Sequence, residues 1–136
     1  MLGENFFQVE GRAQNAPILL VAGKPYRLRA KNVGSALHEL VMGRGLTGQD
    51  AQGPQGYEED LLHGVEVAVQ GKALAGGEGR AFEVEALGLA ELELDPGVEL
   101  TVEFTLPRDR AGVWEMGCFA PGHYQAGMHV PLEVVQ

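Results

Sequence analysis

Hydrophobic and polar residues alternate over several short stretches of this chain, a pattern typical of β-strands with one buried and one solvent-facing side. Three such stretches have apolar faces formed by Tyr26, Leu28 and Ala30, by Phe82, Val84 and Ala86, and by Val98, Leu100, Val102, Phe104 and Leu106. The Asp95-Pro96-Gly97 segment separates two strand stretches in the way that a turn does. The pattern therefore predicts an all-β sandwich or barrel with its apolar faces turned inward.

Two further alternations lie near the C-terminus. Trp114, Met116 and Cys118 share one face of a predicted strand, and Met128 shares a face with apolar residues of the last strand, Val130, Leu132 and Val134. Because alternate residues of a strand share a face, we expect Cys118 and Met128 to point inward and His129 to lie on the surface. Trp114 is expected to pack in the core.

Residues 43–64 do not alternate. They are polar and rich in glycine, which predicts a long insertion after a strand, with one helical turn at Glu58–Leu62. His63 is expected on the surface, because Gly64 and its acidic neighbours indicate the start of a strand. The alternative is that His63 binds metal ions weakly together with Glu58, Glu59 and Asp60.

Length and composition narrow the classes of protein further. A chain of 136 residues is long enough to bury a core as one domain, 1–136, and its single cysteine excludes an internal disulfide. The net charge of −9 argues against nucleic acid, whose phosphates need a basic face. This negative charge favours docking with a partner that presents a basic patch, or it serves only to keep the protein soluble.

The sequence also bears on location. No apolar run is as long as a membrane span, and the first residues, Met1–Asn5, contain no apolar signal core. We expect either a cytosolic product or a mature domain whose export signal has been removed.

The only cysteine is followed at equal intervals by a histidine and a methionine, which gives Cys118, His123 and Met128. Between them, Pro121-Gly122 favours a tight turn that lets the three side chains face one point. A thiolate, an imidazole and a thioether form a soft, mixed ligand set that suits copper better than other common metals. The alternative is a buried free thiol, since cysteine is among the most buried residue types.

A trigonal copper site needs a second imidazole, because such sites combine two histidines and a cysteine with a weak axial methionine. His38 fits best, since a strand beginning near it turns His38 inward with Leu40 and Met42. The alternative is a hydrogen-bonded core histidine. The predicted ligands of one copper ion are His38, Cys118, His123 and Met128.

One histidine about eighty residues before a Cys-x4-His-x4-Met loop, in an all-β chain, resembles the cupredoxins, the type 1 blue-copper family. The loop spacing is similar to that of rusticyanins and sulfocyanins, and parts of the loop are similar to plastocyanin-like proteins of bacterial copper resistance. The resemblance covers residues 26–42 and 98–136 and implies a Greek-key sandwich or barrel. Many cupredoxins carry asparagine directly after the first histidine ligand, where it helps tie the two ligand segments together. Glu39 stands there in this chain, so that contact is made differently or is absent.

A metal with four protein ligands leaves no position open for a substrate, which predicts a one-electron carrier that alternates Cu(I) and Cu(II), and not an enzyme. The resemblance implies a soluble protein, expected to be a monomer, in the periplasm or otherwise outside the cytoplasm. It also implies redox partner proteins that dock around His123 on an apolar patch, to which Phe119, Ala120, Pro121 and Ala126 contribute.

Three other functions compete with the carrier. A periplasmic copper-binding protein for copper tolerance or delivery would use the same ligands. A thiol enzyme with His123 as the base for Cys118 lacks a marked orienting group and oxyanion site. A purely structural β-sandwich is the remaining alternative. A multicopper oxidase is excluded, because the chain has no His-x-His pair for a trinuclear cluster.

Overall fold

The structure, a computed structural model, describes residues 1–51, 53–72 and 80–136. In chain order the strands are β1 (Leu2–Gly3), β2 (Phe6–Phe7), β3 (Ile18–Val21), β4 (Pro25–Lys31), β5 (His38–Thr47), β6 (Gly56–Asp60), β7 (Glu66–Lys72), β8 (Arg80–Leu87), β9 (Leu92–Leu94), β10 (Glu99–Thr105), β11 (Gly112–Gly117) and β12 (His129–Val135). Across this part of the chain the one helix is a 3₁₀ turn at Arg108–Arg110, and no helix is long and apolar enough to span a membrane. The predicted all-β fold is confirmed.

The strands form two main sheets. One has the order β4–β10–β7–β8, and the other has the order β3–β12–β11–β5–β6, with β9 also paired to β5. Strands β1 and β2 form a separate hairpin. Strand β3 runs parallel to β12, whereas the other pairs are antiparallel. Buried residues of both sheets belong to one hydrophobic cluster, as a β-sandwich requires.

Most strand faces lie as the alternation predicts. Strand β10 buries Leu100, Val102 and Phe104 between half-buried polar residues. Strand β5 turns His38 inward, and the last strands bury their predicted apolar faces. Trp114 is 2% exposed and donates its indole N–H to the backbone oxygen of Arg110 at 2.7 Å. Its predicted place in the core is confirmed.

Strand β8 is the exception, because its apolar face is not buried. Phe82 and Val84 are 45% and 52% exposed, and Ala86 on the same face is exposed as well. In the described part of the chain, β8 is the last strand of its sheet and has β7 as its one neighbour. The Phe82 ring lies over Gly71, its partner across the two strands. The expected buried face is therefore wrong here, because alternation shows which residues share a face and not whether another layer covers that face.

The insertion predicted at residues 43–64 is largely a β-hairpin. Strand β5 continues to Thr47, and β6 pairs with its second half. The Arg44 guanidinium bonds both carboxylate oxygens of Glu59 across the hairpin, at 2.7 and 2.8 Å. The helical turn predicted at Glu58–Leu62 is wrong, because pairing with β5 satisfies the backbone of the first three residues as a strand.

Candidate metal centre

Three of the four predicted ligands converge at one end of the sandwich. His38 Nδ1 lies 3.2 Å from His123 Nδ1, and Cys118 Sγ lies 3.4 Å from that same nitrogen. His38 and Cys118 are completely buried, and His123 is half-buried. The donor atoms of the two imidazoles and the thiol lie within 4.8 Å of one another, close enough to share one ion.

Strand pairing explains how a residue near position 38 reaches a loop near position 120. Strands β5 and β11 are antiparallel, with Val41 opposite Gly117. Beyond this pair, β5 runs back to its first residue, His38, while the chain after β11 continues with Cys118. Because the strands are antiparallel, these two ends lie side by side. The two ligand segments therefore meet because of sheet register, despite their separation in the sequence.

The loop from Cys118 to Met128 is closed by its own backbone. The amide of Cys118 donates to the carbonyl of Met128 at 3.1 Å, and the amide of Met128 donates to the carbonyl of His123 at 3.1 Å. Gly122 has φ +79°, the left-handed conformation that the tight turn after Pro121 needs. Met128 is completely buried, so its predicted inward orientation is confirmed. Backbone hydrogen bonds therefore join the segments of the loop that carry its three candidate ligands.

The sulfur of Cys118 lies in a dry environment with one amide directed at it. The backbone N–H of Glu39 donates to Sγ at 3.3 Å. Burial is the main cause that raises the pKa of the Cys118 thiol, and the amides of Glu39 and Ala120 oppose that rise. The thiol therefore keeps its proton at neutral pH until a metal ion displaces it. Burial, and then the electrostatic influence of the neighbouring His123 ring, lowers the pKa of His38, which favours the neutral imidazole that can bind a metal.

Glu39 makes the contact that was in doubt from the sequence. Its carboxylate Oε2 accepts a hydrogen bond from the amide of Phe119 at 3.2 Å, while its own amide bonds the sulfur. The glutamate thus ties the two ligand segments together from both its side chain and its backbone. Burial is the largest cause that raises its pKa above the usual range of a carboxyl group.

Each candidate ligand of the loop is followed directly by an aromatic ring. Phe119, Tyr124 and His129 stack in one line, here called the aromatic column, with ring centres 5.5 and 4.2 Å apart and planes 8° and 17° from parallel. Tyr57, from the β5–β6 hairpin, meets Phe119 edge-on at 4.9 Å. His129 is half-buried in this stack, so it faces away from the core as predicted but is not free on the surface.

Glu115 fastens the aromatic column to strand β11. Its Oε1 accepts hydrogen bonds from Tyr57 at 2.8 Å and from Tyr124 at 2.7 Å, and its Oε2 lies 3.5 Å from His129 Nδ1. Burial, and then the bond to Glu115, raises the pKa of both tyrosines, so both remain protonated donors. Sequence reasoning missed Glu115 and Tyr57, since nothing in their local pattern connects them with a loop several strands away.

The alternative metal site at His63 is not formed among the residues that the structure describes. His63 is exposed, as predicted, and its carbonyl accepts a hydrogen bond from Arg110. Over residues 1–51, 53–72 and 80–136, the donor groups close enough to share an ion do not include His63 or its acidic neighbours. Glu59 is instead held by Arg44.

The apolar patch expected around His123 is smaller than the resemblance implies. Pro121 and Ala126 are exposed and Phe119 is half-buried, but Ala120 is 7% exposed and cannot contribute much. The amide of Ala120 is one of the two that oppose the rise in the pKa of the Cys118 thiol.

The fold is shared with solved structures of low sequence identity. Reduced auracyanin from Roseiflexus castenholzii is 19% identical, with a TM-score of 0.53 over 98% of this chain and 91% of that protein. Rusticyanin from Thiobacillus ferrooxidans is 15% identical, with a TM-score of 0.54 over 95% of this chain and 66% of that protein.

A larger protein contains the same fold. A multicopper oxidase from Campylobacter jejuni is 15% identical, with a TM-score of 0.59 over 96% of this chain, which spans 22% of that oxidase. No protein-family model and no curated protein matches the sequence. These likenesses show that the chain has the cupredoxin fold, as its sequence predicts.

Proposed function

We propose that this protein is a mononuclear type 1 copper protein that carries single electrons. The observation that carries the proposal is the convergence of His38 Nδ1, His123 Nδ1 and Cys118 Sγ in a buried cluster, with the closest pairs 3.2 and 3.4 Å apart. These three residues are the strong ligands, and Met128 is the weak axial ligand from the far end of the loop.

The chemistry of the donor set fits copper. Imidazole nitrogen suits Cu(II) and soft sulfur suits Cu(I), so two imidazoles, a thiolate and a thioether serve both oxidation states. Bound copper supplies a one-electron couple. The chain contributes a loop closed by its own hydrogen bonds and a Glu39 amide directed at the sulfur, which keep the donors in place when the charge changes. A site closed by four protein ligands has no open position for a substrate, so the proposed role is that of a carrier and not of an enzyme.

The surface supports an electron-transfer role. His123 is half-buried, with Pro121 and Ala126 exposed on the same loop, so the imidazole is the ligand nearest to solvent. The net charge of −9 favours a redox partner with a basic patch, since opposite charge speeds encounter. We propose that the protein works outside the cytoplasm as a monomer.

The experiment is a comparison of copper exchange with electron exchange. A carrier loaded with one equivalent of copper should oxidise and reduce reversibly, and mixtures of Cu(I) and Cu(II) protein should show fast self-exchange by NMR line broadening. A chelator should remove the copper only slowly. Slow self-exchange with rapid loss of copper to the chelator would contradict the carrier and favour a protein for copper tolerance or delivery.

A further inference from the structure

The imidazole of His38 has one nitrogen in the donor cluster and one without a partner. Nδ1 faces His123, whereas Nε2 is buried and has no hydrogen-bond partner among the described residues. When Nδ1 is a metal ligand, the neutral ring carries its proton on Nε2. A buried N–H without an acceptor is costly, so a partner for this proton is expected close by.

A carboxylate lies just beyond hydrogen-bond distance. Glu4 Oε1 is 3.9 Å from His38 Nε2, and Glu4 belongs to the turn between β1 and β2. The amide and the hydroxyl of Ser35 both donate to this same oxygen, the hydroxyl at 3.0 Å. These bonds are the main cause that lowers the pKa of Glu4, which keeps the carboxylate charged.

Gly34 leaves open the space between the two groups. A Cβ at this position would lie 2.6 Å from Glu4 Oε1 and 2.8 Å from His38 Nε2. The hairpin that carries Glu4 is fixed to the same loop, since the amide of Val33 donates to the carbonyl of Leu2 at 2.8 Å. An approach of roughly 1 Å would make an ordinary N–H···O bond, and no side chain of residue 34 stands in its way.

We propose that Glu4 accepts the Nε2–H hydrogen bond of His38 in the copper-loaded protein and thereby lowers the reduction potential. A carboxylate on the outer nitrogen of a ligating histidine fixes the ring and makes its inner nitrogen a stronger donor. Its negative charge also favours the more positive oxidation state. Glu4 is a positioning residue that acts through His38, and it makes the N-terminal hairpin part of the site. This inference rests on the proposed function.

The test compares the reduction potentials of the Glu4→Gln and Glu10→Gln variants with that of the parent protein. Both substitutions remove one negative charge near the N-terminus, but Glu10 is an exposed residue that pairs weakly with Arg29, at 3.5 Å. Glu4→Gln should shift the ratio of Cu(II) to Cu(I) at a fixed potential about tenfold toward Cu(I). That shift is a rise in midpoint potential of about 59 mV for one electron. Glu10→Gln should give less than a third of it.

A second measurement detects the hydrogen bond itself. In the diamagnetic Cu(I) protein, the ¹⁵N-attached Nε2 proton of His38 should exchange slowly with water, and Glu4→Ala should make it exchange faster. Equal potentials in the two glutamine variants, or an Nε2 proton unaffected by Glu4→Ala, would overturn the role of Glu4. If copper binds without a thiolate charge-transfer band, the proposed function itself fails, so the two failures are distinguishable.

Discussion

The two sides of the candidate metal centre are held in different ways. On the His38 side the support is polar and buried: Asn32 is 0% exposed, and its amide donates to the carbonyls of Ala36 and Leu94, both at 2.8 Å. On the loop side the support is the half-buried aromatic column, fastened by Glu115. A buried polar network fails when one member is left unpaired, whereas stacked rings lose only part of their contact.

This difference assigns separate tasks to the two sides. On the His38 side, the Asn32 amide ties the loop before His38 to strand β9, whose Leu94 lies opposite His38. The loop side keeps its three candidate ligands together by backbone hydrogen bonds and uses rings to pack the loop against β11 and β12. We therefore expect loss of the buried Asn32 network to act mainly on folding, and changes on the loop side mainly on copper retention and potential.

The largest effect is expected for Asn32→Ala. This substitution removes both bonds from the amide and also the acceptor of the Gly34 amide, at 2.9 Å. We expect the free energy of unfolding to fall by about 3 kcal/mol, since each buried group left unpaired costs roughly 1–3 kcal/mol. Urea unfolding of the apo-protein measures it. The control is Gln14→Ala, which removes a side-chain amide from an exposed position. An equal fall in the free energy of unfolding of the two variants would contradict a stabilising role for the buried polar network.

On the loop side, Met128→Leu should alter the potential and leave copper bound. Leucine fills a similar volume, so stability should change by less than about 1.5 kcal/mol. The weak thioether ligand is lost, so the relative stability of Cu(I) and Cu(II) in the site changes. Redox titration and copper affinity are the measurements. Loss of copper binding would show that Met128 is a structural ligand and not an axial tuner.

A smaller loop-side effect is expected for Tyr57→Phe. The ring remains against Phe119, but the bond to Glu115 is lost, at a cost of about 1 kcal/mol. Copper should dissociate several times faster, because the aromatic column is less firmly held. Tyr26→Phe is a matched control, since the Tyr26 hydroxyl accepts a bond from Val21 at 2.8 Å on another strand. If both variants release copper at the parent rate, the column does not restrain the loop.

The smallest effect concerns pH. The hydrogen bond with Glu93, followed by burial, raises the pKa of Glu91 to about 7. The folded protein then holds this proton more tightly than the unfolded chain between the ordinary glutamate pKa of 4.5 and about 7. This group's contribution to stability therefore declines as pH rises through that window. Glu91→Gln should reduce this decline of stability with pH, as measured by urea unfolding. Glu133→Gln, at an exposed position, should not. An unchanged pH profile in Glu91→Gln would contradict the assignment.

The two sides also differ in how far sequence alone can predict them. Cys118, His123 and Met128 lie on one short loop, so their spacing indicates the chemistry directly, and alternation on β5 gives the direction of His38. Glu4 is the opposite case, because only the packing of the N-terminal hairpin brings it near His38. Local patterns report local geometry, and contacts between distant segments depend on sheet register.

Strands β8 and β10 show the same limit in the fold. Both alternate apolar residues with glutamate, yet β10 buries Val102 and β8 leaves Val84 52% exposed. Strand β10 lies between β4 and β7, whereas β8 is at the end of the described sheet. The residues of a strand determine its apolar–polar alternation, but the strands and layers around it determine whether its apolar face is buried.

The most direct test of the copper site is the absorption spectrum during titration of the apo-protein with Cu(II). We predict an intense thiolate-to-copper charge-transfer band that saturates at one equivalent, disappears on reduction with ascorbate, and is absent from the Cys118→Ser variant. A protein that binds copper without this band, or a band that survives Cys118→Ser, would contradict the account.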